Sequence, residues 1–171
     1  MARVLVPLAE GCEELEAVTI IDLLRRAGIE VVAAGLAEGA VKASRGVVMI
    51  PDVALDAVLK QDFDMIVLPG GAAGAERLQR DARIRRLLQR HAEAGRYLAA
   101  ICAAPRVLAA AGVLKDRRAT SFPGFLDEAK GVRQVMAAVA VDGRVVTSRG
   151  PGTALDFALS LISLLMGESA A

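Results

Sequence analysis

The chain has 171 residues, of which 54% are apolar, 24% charged and 3% aromatic, with no Trp and one Tyr. That length suits one domain with a full core built from Val, Leu, Ile and Ala, and it excludes disorder and stacking platforms for single-stranded nucleic acid. Lys and Arg number 21 against 20 Asp and Glu, a net charge of +1, so no strong field draws a polyanion or an anionic membrane, and no specific nucleic-acid binding is expected.

Two cysteines cannot form a disulfide framework, and the single histidine, His91, removes most zinc-site combinations. A reducing cytoplasm and no metal are the expectation. The opening MARVLVPLAEG lacks a signal-peptide pattern, and Arg106 and Lys115 interrupt the longest candidate for a bilayer span.

Arg3 to Leu8 reads as a buried strand. After a turn at Glu10 and Gly11, a helix is predicted from about Glu13 to Ala27, with Ala17, Ile20, Ile21 and Leu24 at helical spacing and Gly28 ending the pattern. Ile29 to Ala34 is the next strand, completing a right-handed βαβ unit. Val41 to Ile50 reads as a β-hairpin around Ser44, Arg45 and Gly46, and Asp56 to Gln61 as a weak helical turn. Met65 to Leu68 is a short apolar strand ending in Pro69, Gly70 and Gly71. Arg83 to Ala94 is an amphipathic helix with Ile84, Leu87, Leu88 and His91 on one face.

Tyr97 to Gly112, YLAAICAAPRVLAAAG, organises the rest. An apolar run of strand length turns at Cys102 into an alanine-rich helix with Pro105 in its first turn. Beyond it, Ala119 to Phe122 is a short strand. Gln134 to Val141 and Arg144 to Ser148 flank the hairpin signal Asp142-Gly143. Gly150, Pro151 and Gly152 lead into a last helix to about Met166, where Thr153 can cap and the apolar positions run almost all round. Strands alternating with helices imply a mainly parallel sheet covered on both faces, with two antiparallel hairpin additions. Ligands in such sheets bind at the strands' carboxyl ends. Glu10 to Glu16, Pro69 to Gly71, Cys102 and Gly150 to Gly152 all fall at such ends.

A thiol on a strand-to-helix corner beside fresh helical N–H groups is expected to ionise more easily than a free cysteine, whose pKa is about 8.5. Cys102 also reads as a small buried hydrophobe. His91, at a helix C-terminus, suits a cation answering the dipole rather than a partner for the thiol. Glu14 is assigned to the dipole at the first helix's N-terminus. Glu13 and Glu16 share a face, and if it points at the sheet, burial keeps Glu16 protonated and able to donate to a thiolate. Gly70 and Gly71 let backbone N–H groups approach a ligand, so the Gly71 and Ala103 N–H groups can form an oxyanion hole. Cys12 reads as a loop or core thiol.

AEGCEELEAV, RRAGIEV, LPGG, AAICAAP and TSRGPGT, in this order and spacing, resemble the ThiJ/PfpI superfamily, and within it the Parkinsonism-associated deglycase branch with its bacterial YajL-like relatives. The resemblance covers about residues 3 to 167. It implies a flavodoxin-like sandwich with a nucleophile elbow at Cys102, a single class I glutamine amidotransferase-like domain over residues 1–171, a homodimer and no cofactor. By position, Cys102 is similar to the family's oxidisable nucleophile, Glu16 to its carboxyl partner, and Gly71 and Ala103 to its oxyanion donors. Arg45 and Arg26 fall where the family has arginines close to its dimer contact. Glu13, Gly70, Phe122, Gly150 and Pro151 complete the expected site lining. The chain departs from other branches in having Phe122-Pro123 where some members have a histidine before proline. It also has Ala103 where protease-like and chaperone-like branches commonly have histidine after the cysteine, which argues against a peptidase, and it lacks the extra C-terminal helix of longer relatives, which implies a more open pocket.

The activity implied is a cofactor-independent cysteine enzyme acting on α-oxoaldehydes such as methylglyoxal, or on early glycation adducts. The alternatives are an oxidative-stress sensor or redox-regulated chaperone acting through Cys102, and a hydrolase or hydratase of another small electrophile.

Overall fold

The computed structural model describes residues 1–171. The chain runs through β1 (Arg3–Leu8), α1 (Glu14–Arg26), β2 (Glu30–Gly35), β3 (Val41–Lys42), β4 (Val48–Met49), β5 (Val53–Ala54), β6 (Met65–Leu68) and α2 (Ala72–Arg80). It continues through α3 (Ala82–Glu93), β7 (Tyr97–Ile101), α4 (Pro105–Ala110), β8 (Arg118–Ala119), β9 (Arg133–Gln134), β10 (Val139–Asp142), β11 (Val145–Ser148) and α5 (Ala154–Met166). Seven strands form one sheet in the order β10-β11-β7-β6-β1-β2-β5. All of its neighbouring pairs are parallel except β10 with β11.

The parallel strands β1, β6 and β7 are apolar and almost wholly buried, as strands covered on both faces must be. Helices α1 and α5 pack together, and α2 packs against both α3 and α4, giving a flavodoxin-like three-layer sandwich around a core of 46 buried residues. From β1 the sheet grows outward through β2 to β5 in one direction and through β6, β7 and β11 in the other. The crevice at this reversal, at the strands' carboxyl ends, is where an open α/β sheet holds its ligand.

Several elements differ from the sequence reading. Helix α2 was not anticipated, because its buried face is made of small residues, Gly74 and Ala75, with Leu78 the one large apolar side chain. A Cβ on Gly74 would lie 2.7 Å from Cys12 Cα, so the glycine is there to let helix and loop touch. The expected strand from Gln134 to Val141 is split into β9 and β10. Val135 N–H still bonds Ala119 O, whereas Ala138 O accepts from Ser148 Oγ at 2.7 Å and Arg149 N–H at 3.2 Å. The chain is crossing there from one partner strand to another. Thr153 does not cap α5; its hydroxyl engages Ser148 Oγ, 2.7 Å away, and Gly150. Nor is α5 buried all round, since Leu155, Leu159 and Met166 are exposed. The β3–β4 hairpin and the β10–β11 hairpin form as expected.

One buried side chain ties the outer strands to the centre. Thr147, on β11 and inaccessible to solvent, accepts the Thr120 N–H on Oγ1 at 2.9 Å. Two residues on, Phe122 N–H donates to Cys102 O at 2.9 Å. Thr147→Val keeps the shape but leaves the buried Thr120 N–H without an acceptor, so it is expected to cost about 1–3 kcal/mol in urea unfolding. Thr147→Ser is expected to stay near wild type; equal losses in both would assign the effect to packing.

Candidate active site

The chain leaving β1 and the chain leaving β7, two strands flanking β6, deliver the two central groups. At the end of β7, Cys102 takes φ 64°, a left-handed conformation that costs a non-glycine residue about 1–3 kcal/mol and persists only when its surroundings enforce it. Those surroundings are visible: Cys102 N–H donates to Ser148 O at 3.0 Å while its carbonyl accepts from Phe122. The chain then enters α4 with Pro105 in the first turn. This is the strand-to-helix elbow the sequence predicts, and it leaves Cys102 about 9% exposed on the wall of a cavity.

After β1, Glu13 forms the N-cap of α1, its carboxylate accepting the Glu16 N–H at 2.8 Å. Glu16 is turned into the molecule and has no solvent exposure. Neither of its carboxyl oxygens has a hydrogen-bond partner of good geometry. A Cβ built on Gly70 would lie 2.6 Å from both Cys102 Cβ and Glu16 Oε1, so the two side chains converge on this glycine and only glycine fits between them. Gly71, with φ 88°, is pressed against the Gly11 and Glu13 backbone.

Burial, reinforced by the Glu13 charge, pushes the Glu16 pKa up to about 8, against the weaker pull of Cys102 and the Gly70 N–H. The carboxyl is therefore largely protonated at pH 7, as expected. The thiol departs from expectation: burial and the Glu16 charge push Cys102 up to about 12. The Gly71 and Ala103 N–H groups pull it down, which places both anticipated donors toward the sulfur, but the elbow alone does not ionise it. The two groups raise and lower each other's pKa, so ionisation belongs to the pair.

Glu14 stands in the first turn of α1, as the dipole reading has it, but does more than answer the dipole. It is buried, with Oε2 accepting from Ser44 Oγ at 2.9 Å and Oε1 from Arg45 N–H at 2.8 Å. Burial acts to raise its pKa, but its own N–H, Ser44 and the Arg45 and Val47 N–H groups prevail and hold it below the usual carboxylate value. Glu14 thereby fixes the β3–β4 hairpin as one wall of the cavity.

That cavity, of about 660 Å³, brings together Glu13, Arg45, Gly71, Cys102, Ala103, Phe122 and Pro151 from the anticipated set. Phe122 packs edge-on against Phe125, ring centroids 6.2 Å apart. Gly70 and Glu16 lie behind the wall, and Gly150 sits beneath the Phe122 ring, where a Cβ would be 3.2 Å from Cδ2. Arg26 does not reach the site. It is exposed at the far end of α1 and paired with Asp22 at 2.8 Å, one helical turn away, where a cation suits the helix C-terminus. The sequence reading missed Lys42, Arg77 and Phe125, which also line the cavity and carry no local motif. His91 is buried outside it, and burial pushes its pKa down to about 4, so it is neutral rather than a cation at the end of α3.

A cysteine on a strained elbow, backed by a buried carboxyl from the first helix, defines the nucleophile-elbow class of α/β proteins. The chain belongs to the DJ-1/PfpI family, whose model matches residues 2–164. Protein DJ-1 homolog B of Arabidopsis thaliana is 43% identical over 168 residues, covering 97% of this chain; the chain spans only 38% of that relative's length. The glutathione-independent glyoxalase DJR-1.2 of Caenorhabditis elegans is 38% identical over 168 residues, covering 97% of this chain and 89% of its own. Among solved structures, oxidized Toxoplasma gondii DJ-1 superposes with a TM-score of 0.96 at 41% identity, covering 99% of this chain and 94% of that one.

The native state holds the Glu16 proton up to about pH 8, whereas an ordinary carboxyl releases it near 4.5. Between those values the folded protein binds more protons than the unfolded chain, so raising the pH removes stability. Relative to Glu16→Gln, wild type is expected to lose about 2–5 kcal/mol between about pH 5 and about pH 9 in urea unfolding. Parallel pH profiles would show that Glu16 is not held protonated.

Proposed function

We propose that this chain is a cofactor-independent cysteine enzyme that converts α-oxoaldehydes such as methylglyoxal and glyoxal to 2-hydroxy acids, and that it acts by the same chemistry on early glycation adducts. The observation that carries this reading is the convergence of Cys102 and Glu16 on Gly70. The relative whose name is glutathione-independent glyoxalase supports it.

In this mechanism the reactive form is the Cys102–Glu16 pair with one proton. The sulfur adds to the aldehyde carbon, and the proton passes to the former carbonyl oxygen, giving a hemithioacetal. Glu16 removes the hydrogen from that carbon and returns it to the neighbouring one, while the hydroxyl proton passes from the first oxygen to the second through the enediol, converting the adduct to a 2-hydroxy thioester. The Gly71 and Ala103 N–H groups hold the enediolate oxygen meanwhile. Water then cleaves the carbon–sulfur bond, releasing the 2-hydroxy acid and restoring the thiol. The sequence adds one water to methylglyoxal and needs no external oxidant or reductant. A carboxyl whose pKa lies near the working pH serves both as acid and as base.

The same pair supports a second reading, in which Cys102 is an oxidation sensor. A protonated Glu16 is placed to donate to a sulfinate oxygen, and the Toxoplasma relative's structure is described as oxidized. No helix is long and apolar enough to cross a membrane. Either reading suits a homodimer formed through the exposed apolar surface of Leu15 and Val18 on α1 with Val47, Val48 and Ile50 on the hairpin, which Glu14 binds to α1.

Lactate release from methylglyoxal, measured directly rather than as aldehyde loss, is expected to fall at least about 10²-fold in both Cys102→Ser and Glu16→Gln with folding intact. Turnover retained in either variant would remove that residue from the mechanism.

A further inference from the structure

The opposite end of the sheet holds a second chemically distinctive concavity, of about 310 Å³, where β7 and β11 begin. Its wall is formed by residues around Gly95, by the segment after α4, and by the start of β11. Four of its lining side chains are cationic, Arg96, Lys115, Arg117 and Arg144, and none is a carboxylate. In a chain whose net charge is only +1, this is a marked local excess. Two of the four are partly neutralised from outside the cavity. Arg96 lies 3.0 Å from Asp62 Oδ1. Arg117 lies 3.7 Å from Asp142 Oδ1 and donates to Asp142 O at 3.1 Å. Lys115 and Arg144 have no ion-pair partner.

Arg144 is nevertheless not loose. Its guanidinium lies 4.4 Å over the centre of the Tyr97 ring, an attraction between cation and ring face that orients the group while leaving its N–H donors free. The Arg117 guanidinium is likewise fixed against the turn at Gly143, where a Cβ would lie 2.9 Å from Nη1. Like charges held together repel, and an anion that joins them converts that repulsion into charge-assisted hydrogen bonds. Planar guanidinium forks match the oxygens of phosphate, and a lysine adds a compact charge.

We propose that this concavity is a binding site for a small multivalent oxyanion of the phosphomonoester or pyrophosphate class, separate from the Cys102 cavity. Its volume is at the small end of ligand sites, room for a phosphate group with a modest organic part. It is too small to enclose a nucleic-acid strand. The nucleophile lies beyond the other end of β7, so occupancy here does not block it.

Inorganic pyrophosphate titrated into the full chain by calorimetry at low salt tests the assignment, with an oligonucleotide as the alternative probe. Saturable binding at a single site is expected, weakened at least about tenfold in the Lys115→Ala/Arg144→Ala double variant. Arg45→Ala, which removes a cation from the Cys102 cavity instead, is expected to leave pyrophosphate binding unchanged. The rate of Cys102 alkylation by iodoacetamide, equal in wild type and the double variant, verifies that the double variant is folded. Undiminished binding in the double variant, loss in Arg45→Ala, absence of saturable heat, or binding of the oligonucleotide alone would each overturn the proposal.

Discussion

The site depends on a carboxyl that has been taken out of water and given little to ionise against. Glu16 is fully buried with no hydrogen-bond partner of good geometry on either oxygen, an arrangement that costs the carboxylate far more than the neutral acid. Its neighbours are fixed to keep it so. Gly70 removes the side chain that would separate it from the sulfur, Glu13 caps the helix and adds a repelling charge, and the elbow at Cys102 brings the thiol to it. The strain at Cys102 is sustained by two strands and the Thr120–Phe122 segment, so the fold's central layer and its chemistry are one construction.

Two carboxyls two positions apart on α1 are pushed to opposite protonation states by what surrounds them. Glu14 meets a hydroxyl and backbone N–H groups and stays ionised, whereas Glu16 meets apolar surroundings and a neighbouring charge and keeps its proton. Separation of this kind is how one helix turn supplies both a structural anion and an acid–base group. Glu14 uses its charge to hold the hairpin that walls the cavity, and Glu16 offers its proton to the sulfur. Neither could exchange roles without losing the cavity or the chemistry.

Continuous apolar runs made β6 and β7 readable to the residue, because strands covered on both faces need nothing else. Cys102, Glu16, Gly71 and Ala103 were legible for the same reason: each follows a strand that could be placed, and the carboxyl ends of parallel strands converge. What local sequence could not convey was environment. The helical N–H groups beside Cys102 suggest an acidic thiol, but burial, a property of the whole layer, outweighs them. Glu14 reads only as a charge answering the helix dipole because its partner Ser44 lies 30 residues away. Arg26 reads by resemblance as an arginine near a dimer contact, and it lies away from the cavity, paired with Asp22 on its own helix. Helix α2 was hidden because the face that approaches Cys12 is built from small residues around Gly74, with Leu78 the one large apolar side chain.

If one proton is shared between sulfur and carboxyl, the reactivity of the thiol must be governed by the carboxyl's ionisation. The pH dependence of Cys102 alkylation by iodoacetamide, followed by intact mass in wild type and Glu16→Gln, measures this directly. The pair predicts a rise with its first inflection at about 8, absent from the variant, whose isolated buried thiol ionises only at higher pH. An identical inflection in both proteins, at the value of an ordinary cysteine, would contradict the account.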